Sequence, residues 1–330
     1  MGGGLSGAGY GVTLDPAGDI WVGNFGFAAQ PPGCPTDRQP PHNSVSQFEP
    51  DGTAVSPDTG WTGGGIDWPQ GTIADENGTI WVANCGNGLV TRMPGDDPGS
   101  AVGIDVGLDE AFDLVANDSG KVIVTGLGNS KVAVLEGDGT PIPISPLDSE
   151  ELGLDRPMGI ALDSRGNSWI ANSGLIDLPC PGPIDIELTG RGGSLSMLGK
   201  GVKPRTSEGD VFSGGGLTIP WGIAVDGDDN VWVSNFGKQR VSEFCGVRTK
   251  GCRPGSEPGD PISPDGTGYF FDGFVRLTSV QIDPSGNVWV TNNWKLKPIQ
   301  TNPGGYEMVV MVGAAAPLRA PLIGPPEPLF

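Results

Sequence analysis

The chain has 330 residues, and 39 acidic against 19 basic side chains give it a formal net charge of −20. That balance excludes nucleic acid and anionic membrane as partners, because a phosphate surface has to be met by Lys and Arg. No apolar run reaches the ~18 residues of a membrane-spanning helix, so no membrane insertion is expected.

The N-terminus, Met1-Gly2-Gly3-Gly4-Leu5, has neither the basic nor the apolar region of a signal peptide. Few Lys and many Gly, Pro, Asn, Thr and Trp suit a secreted protein whose signal has been removed. An extracellular or cell-envelope location is therefore expected.

The first element is Gly11-Val12-Thr13-Leu14-Asp15, then a Gly-containing turn, then Ile20-Trp21-Val22-Gly23-Asn24. The same motif returns at 71–75 with 80–84, 113–117 with 122–126, and 159–163 with 168–172. It appears twice more, at 222–226 with 231–235 and 279–283 with 288–292. β-Branched and aromatic runs read as strands, and Gly supplies the positive φ a hairpin turn needs. No helical periodicity competes. The centres Trp21, Trp81, Ile123, Trp169, Trp232 and Trp289 lie about 40 to 60 residues apart, the length of a propeller blade.

Third strands are expected at 44–48, 131–135, 240–244 and 308–312. Return segments run from Ser56 to Trp61, then through Gly63-Gly64-Gly65-Ile66 to Pro69, with counterparts at 214–220 and 263–269. Gly2-Gly3-Gly4-Leu5 repeats that return just ahead of the first strand, so the chain starts inside a repeat. Closing a ring then needs an outer strand donated out of order, from 318–323 or from residues upstream of Met1. The expected fold is all-β: a six-bladed β-propeller of four-stranded antiparallel blades. It forms one domain over 1–330, with a Pro-rich C-terminal tail at about 316–330.

The segment Pro220-Trp221-Gly222-Ile223-Ala224-Val225-Asp226, with Asn230 to Asn235 and Gln239-Arg240-Val241, resembles a near-consensus NHL repeat. All six units together resemble the NHL-repeat and streptogramin-lyase-like group of six-bladed propellers. The resemblance implies that the first strand of each blade lines a channel. The end of the second strand then lies on the ligand face. It leaves activity open, because the group includes binding modules, sensor domains and enzymes.

On that face stand Asn24, Asn84, Asn172, Asn235 and Asn292, with Gly126 in the third unit. Their carbonyl oxygens are candidate ligands for a hard cation, Ca²⁺ or Mg²⁺; the competing expectation is that each Asn caps its own turn. The third unit carries Asp113 where four others have Gly, preceded by Glu110. These two are the candidate catalytic or metal-binding carboxylates. Tyr10, Trp68, Trp221 and Trp294 are candidate ligand-stacking aromatics. Long loops at 26–43, 174–193 and 294–305 mark the same side for recognition.

Cys245 and Cys252 flank a short turn and are expected to form a disulfide. For the other three cysteines a Cys34–Cys85 pairing between neighbouring blades is preferred over Cys34–Cys180. Zinc is not expected, with no C-x₂-C pair and a single histidine, His42. The lyases of the resembled group imply a metal-supported His and Glu, and no histidine is expected at the channel mouth here. The lactonase propellers imply Glu, Asn and Asp around a Ca²⁺-like ion, a set that Glu110, Asp113, Asn172 and Asn235 would imitate. The functional expectation is a secreted module that binds a small molecule, glycan or protein through its long-loop face. The alternative is a metal-dependent hydrolase or lyase at the channel mouth.

Overall fold

Each apolar run of the repeated motif is a strand and each Gly turn a hairpin. The computed structural model describes residues 2–5, 9–26, 42–148, 152–174, 193–200, 203–204, 211–294, 308–319 and 327–328. Among these, the first sheet is β1 (Gly9–Leu14), β2 (Ile20–Asn24) and β3 (Val45–Phe48). The second is β4 (Pro69–Ala74), β5 (Thr79–Asn84), β6 (Val90–Pro94) and β7 (Val102–Ile104). The third is β8 (Ala111–Ala116), β9 (Val122–Gly126) and β10 (Lys131–Leu135). The fourth has β11 (Pro157–Leu162), β12 (Ser168–Asn172) and β13 (Ser194–Gly199), with β14 (Lys203–Pro204) and β15 (Val211–Phe212) both on β13. The fifth is β16 (Pro220–Val225), β17 (Val231–Asn235), β18 (Arg240–Phe244) and β19 (Tyr269–Phe270). The sixth is β20 (Ser279–Ile282), β21 (Val288–Thr291) and β22 (Met308–Met311). The pairings within these sheets are antiparallel.

Four full strands were expected throughout, and this holds only in part. The outer strand shrinks to two isolated bridges in the first sheet, Val45 with Trp61 and Phe48 with Ala54, and in the third, Val132 with Leu147 and Leu135 with Pro141. Among the described residues of the tail, β23 (Leu318–Arg319) pairs with β24 (Glu327–Pro328) and not with the sixth sheet. Residues 320–323 lie outside the described set.

By internal contacts the chain divides into two units, one built on residues 1–147 and the other on residues from 148 onward. Each holds three of the sheets. Within each unit a tryptophan at the centre of one sheet is buried against the next. Trp21 packs with Ile66, Ala74, Ile80, Val82 and Met93 of the second sheet, and Trp81 with Leu114, Val122 and Val124 of the third. Trp169 packs on Val225, Val231 and Val233 of the fifth, and Trp232 on Val280, Val288 and Val290 of the sixth.

The repeated Asp anchors that tryptophan. Asp15 Oδ1 accepts the N–H groups of Ala17 and Asp19, closing the turn, while Oδ2 accepts the Trp21 indole N–H at 2.9 Å. The same indole bond recurs from Trp81 to Asp75, Trp169 to Asp163, Trp232 to Asp226 and Trp289 to Asp283. The third unit has Ile123 in place of Trp, and there Asn117 replaces Asp while keeping the turn bonds to Ser119 and Lys121. Without an indole donor, no negative oxygen is needed.

In four units the neighbouring first strands lie so close that the motif's first residue is Gly. A Cβ on Gly11 would stand 2.4 Å from Thr72 N, and one on Gly159 would stand 2.4 Å from the Trp221 carbonyl oxygen.

Candidate functional site

The motif's terminal Asn is buried in five sheets, at 0% exposure in four and 1% at Asn292. Its amide fastens the strand end in two directions. Asn24 Nδ2 donates to Ser44 Oγ and Ser46 Oγ. Asn84 Nδ2 donates to Thr91 Oγ1 at 2.9 Å, Asn172 to Ser196 Oγ at 2.8 Å, and Asn235 to Ser242 Oγ at 2.9 Å. Each reaches across to the third strand. The carbonyl oxygens take backbone N–H groups of the incoming turn: Asp67 to Asn84, Asp155 to Asn172, Thr218 to Asn235 and Val275 to Asn292.

Directly before the innermost strand stand Trp68, Glu110, Arg156 and Ile219, and at the matching motif position, three residues before β20, stands Arg276. The first four have φ near +50°, a left-handed conformation that costs a bulky residue about 1–3 kcal/mol. Three of them precede Pro69, Pro157 or Pro220, where the helical regions are disfavoured further. What holds them is a bond to the residue after the Asn: Cys85 N–H to the Trp68 carbonyl, Leu127 to Glu110, Ser173 to Arg156, Phe236 to Ile219. This backbone frame carries the variable side chains of the site.

In the first unit the frame presents rings. Tyr10 packs on Phe25 at 5.7 Å and edge-on to Phe112 at 6.1 Å, and Phe25 packs edge-on to Trp68 at 5.0 Å. His42 stacks on Trp68 with 3.6 Å between centroids and 7° between planes. The expectation that no histidine joins the mouth residues is thus corrected: a loop residue distant in sequence folds onto one of them. His42 Nδ1 lies 2.5 Å from the Phe25 carbonyl oxygen. Such a contact makes Nδ1 the N–H donor and leaves Nε2 with the free lone pair in the neutral ring. Burial pushes the neighbouring Asp67 carboxyl above its ordinary range, and the charge of His42 pulls it partly back. Tyr10, His42, Asp67 and Trp68 are all half-buried.

The second unit places its aromatics deeper. Trp221 is 2% exposed and Trp294 6%. Phe236 joins them, 4.7 Å from Trp221 and 5.6 Å from Trp294. These two predicted stacking residues therefore form an interior cluster, and Arg276 lies against it.

Glu110 and Asp113 have different neighbours. Glu110 Oε2 lies over Gly128, and Asp113 Oδ1 accepts the Leu114 N–H at 2.9 Å while facing Gly71. Among the described residues, no three His, Cys, Asp or Glu side chains cluster as metal ligands. Four of the five amide oxygens are already engaged. The carbonyl oxygens of Asn84, Asn172, Asn235 and Asn292 are buried and accept backbone N–H groups.

Cys245 and Cys252 form the expected disulfide, with Cα atoms 5.9 Å apart. Cys85 is also disulfide-bonded. Cys34, Cys180, and most of the three long loops lie outside the described residues.

Such sheets, four of them fastened to the next by a buried tryptophan, are those of a β-propeller fold. Residues 217–244, in the fifth sheet, match the family model described as NHL repeat. This is the segment that carried the resemblance in the sequence, and the resemblance is borne out. Streptogramin B lyase has a similar fold, with TM-score 0.61 and 14% identity over 96% of this chain and 85% of that one. Virginiamycin B lyase from Staphylococcus aureus gives 0.60 and 13% over 95% and 85%. The hydrazine synthase of Kuenenia stuttgartiensis gives 0.57 and 14% over 92% and 83%. No curated protein matches the sequence. At such identities the likeness is one of fold, and neighbours named for different chemistries share it.

Proposed function

We propose that the protein is a secreted six-bladed propeller that binds a small molecule, glycan or protein on the side where the Asn-ended strands stop. One observation carries this reading. The repeated polar groups there are consumed in fastening the sheets, whereas Tyr10, His42 and Trp68 remain half-buried as a joined aromatic surface. Aromatic faces beside polar tips suit sugars and flat ligands. The second disulfide-bonded site, Cys85, supports the extracellular assignment.

Closure into a single ring is part of the proposal.

The test is a glycan array and a panel of small aromatic ligands, read with wild type and Trp68→Ala. Binding that falls at least about tenfold in the variant supports the module; binding that ignores the change sinks it. A second reading, hydrolase or lyase chemistry, draws on His42 beside Asp67 as an acid–base pair. Turnover of an aryl lactone that disappears in His42→Ala would establish it, with and without Ca²⁺ or Mg²⁺. Calorimetry with those ions, repeated on Asp113→Ala and Glu110→Gln, tests the metal-dependent version.

A further inference from the structure

Arg276 occupies the variable position before the sixth sheet's innermost strand, yet it has none of the left-handed geometry of its counterparts. Its backbone bridges Trp294 instead. The residue is 3% exposed. Its Cζ lies 4.9 Å from the Phe236 ring centroid, and Nη1 donates to the Phe236 carbonyl oxygen at 2.9 Å. Nε is buried with no hydrogen-bond partner. Among the described residues, no carboxylate pairs with the guanidinium and Nη2 makes no bond. Burial pulls its pKa below the ordinary arginine value, with no neighbouring charge opposing the shift. Arginine stays charged in proteins, and an unpaired buried cation is costly unless something pairs with it.

The guanidinium has one face covered and Nη1 engaged. Its remaining edge, Nε with Nη2, is the planar fork that matches the two oxygens of a carboxylate. Trp221, Phe236 and Trp294 form an apolar wall beside it. We propose that Arg276 anchors a subsite for a carboxylate ligand with an apolar or aromatic body, the fork holding the carboxylate at the edge of this apolar cluster. This rests on the strand-end side being the binding side, and narrows the ligand class there.

The intact protein is titrated with benzoate, benzamide and inorganic phosphate at matched ionic strength, following tryptophan emission and Tm. Benzoate is expected to change emission saturably and raise Tm. Benzamide, without the charge, and phosphate, without the apolar body, should act at least about tenfold more weakly. Arg276→Gln should lose the benzoate response, and Arg276→Lys, which keeps the charge without the fork, should weaken it about tenfold. A wild type indifferent to benzoate overturns the proposal, as does an Arg276→Gln protein that responds like wild type. If Arg276→Gln does not fold, unchanged benzoate affinity in Arg276→Lys overturns it. Phosphate acting as strongly as benzoate also overturns the stated ligand class. Failure here with Trp68-dependent binding intact removes only the subsite; loss of both removes the binding reading itself.

Discussion

The two units crowd aromatic rings at the same strand ends and use them in opposite ways. In residues 1–147, Trp68 sits on a left-handed turn ahead of Pro69, outside the strand, and His42 covers only one of its faces. In the later unit, Trp221 is the second residue of β16, so the strand directs its side chain inward among Phe236 and Trp294. The residue type is the same, and a shift of two positions along the motif, from Trp68 in the turn to Trp221 within β16, decides whether it is core or surface. A tryptophan at a propeller mouth is therefore informative only once its turn geometry is known.

Substitutions can break this contrast. The largest effect is expected from Trp221→Ala, about 3–5 kcal/mol of lost stability in denaturant melts, because a fully buried ring leaves a cavity. Asn235→Ala should cost about 2 kcal/mol, since it strands the Thr218 N–H and the Ser242 hydroxyl. The same melts should show no dependence on added Ca²⁺. Trp68→Ala should cost less than about 2 kcal/mol, consistent with partial burial, while removing ligand binding. Equal losses for Trp68 and Trp221 would erase the distinction between surface and core.

A smaller effect concerns Glu243, on β18 opposite Trp232. Burial raises its pKa to about 7, against the hydrogen bond from Tyr269 and with help from Asp226. Its folded pKa lies above the ordinary carboxylate value of 4.5, so the folded state holds this proton more tightly. Stability from this group is full below pH 4.5 and is lost as pH rises through about 7. Glu243→Gln should flatten that part of the pH profile and raise Tm at pH 8 relative to wild type. An unchanged profile would place the titrating group elsewhere.

Much of the fold was legible because the motif spells out each hairpin's ends. The third strands at 131–135 and 240–244 coincide with β10 and β18. The outer strands were less readable: isolated backbone bridges such as those at Trp61 and Leu147 leave no periodic pattern. In the site, the Asn positions were found but their chemistry was ambiguous, because an amide oxygen looks the same whether it meets a cation or a backbone N–H. His42 escaped notice because its neighbour Trp68 is remote in sequence and only folding brings them together. Arg276 did leave a trace, as the last member of a variable column running through Trp68, Glu110, Arg156 and Ile219 amid otherwise repeated positions.

Trp289 keeps its indole bond to Asp283 yet is 40% exposed, while its four counterparts are at most 1% exposed. The molecule thus contains its own optical gauge. Buried indoles emit toward the blue, and a wetted one emits toward the red. The red component that vanishes in Trp289→Phe reports directly on whether the last sheet's outer face is covered in solution, without any added dye.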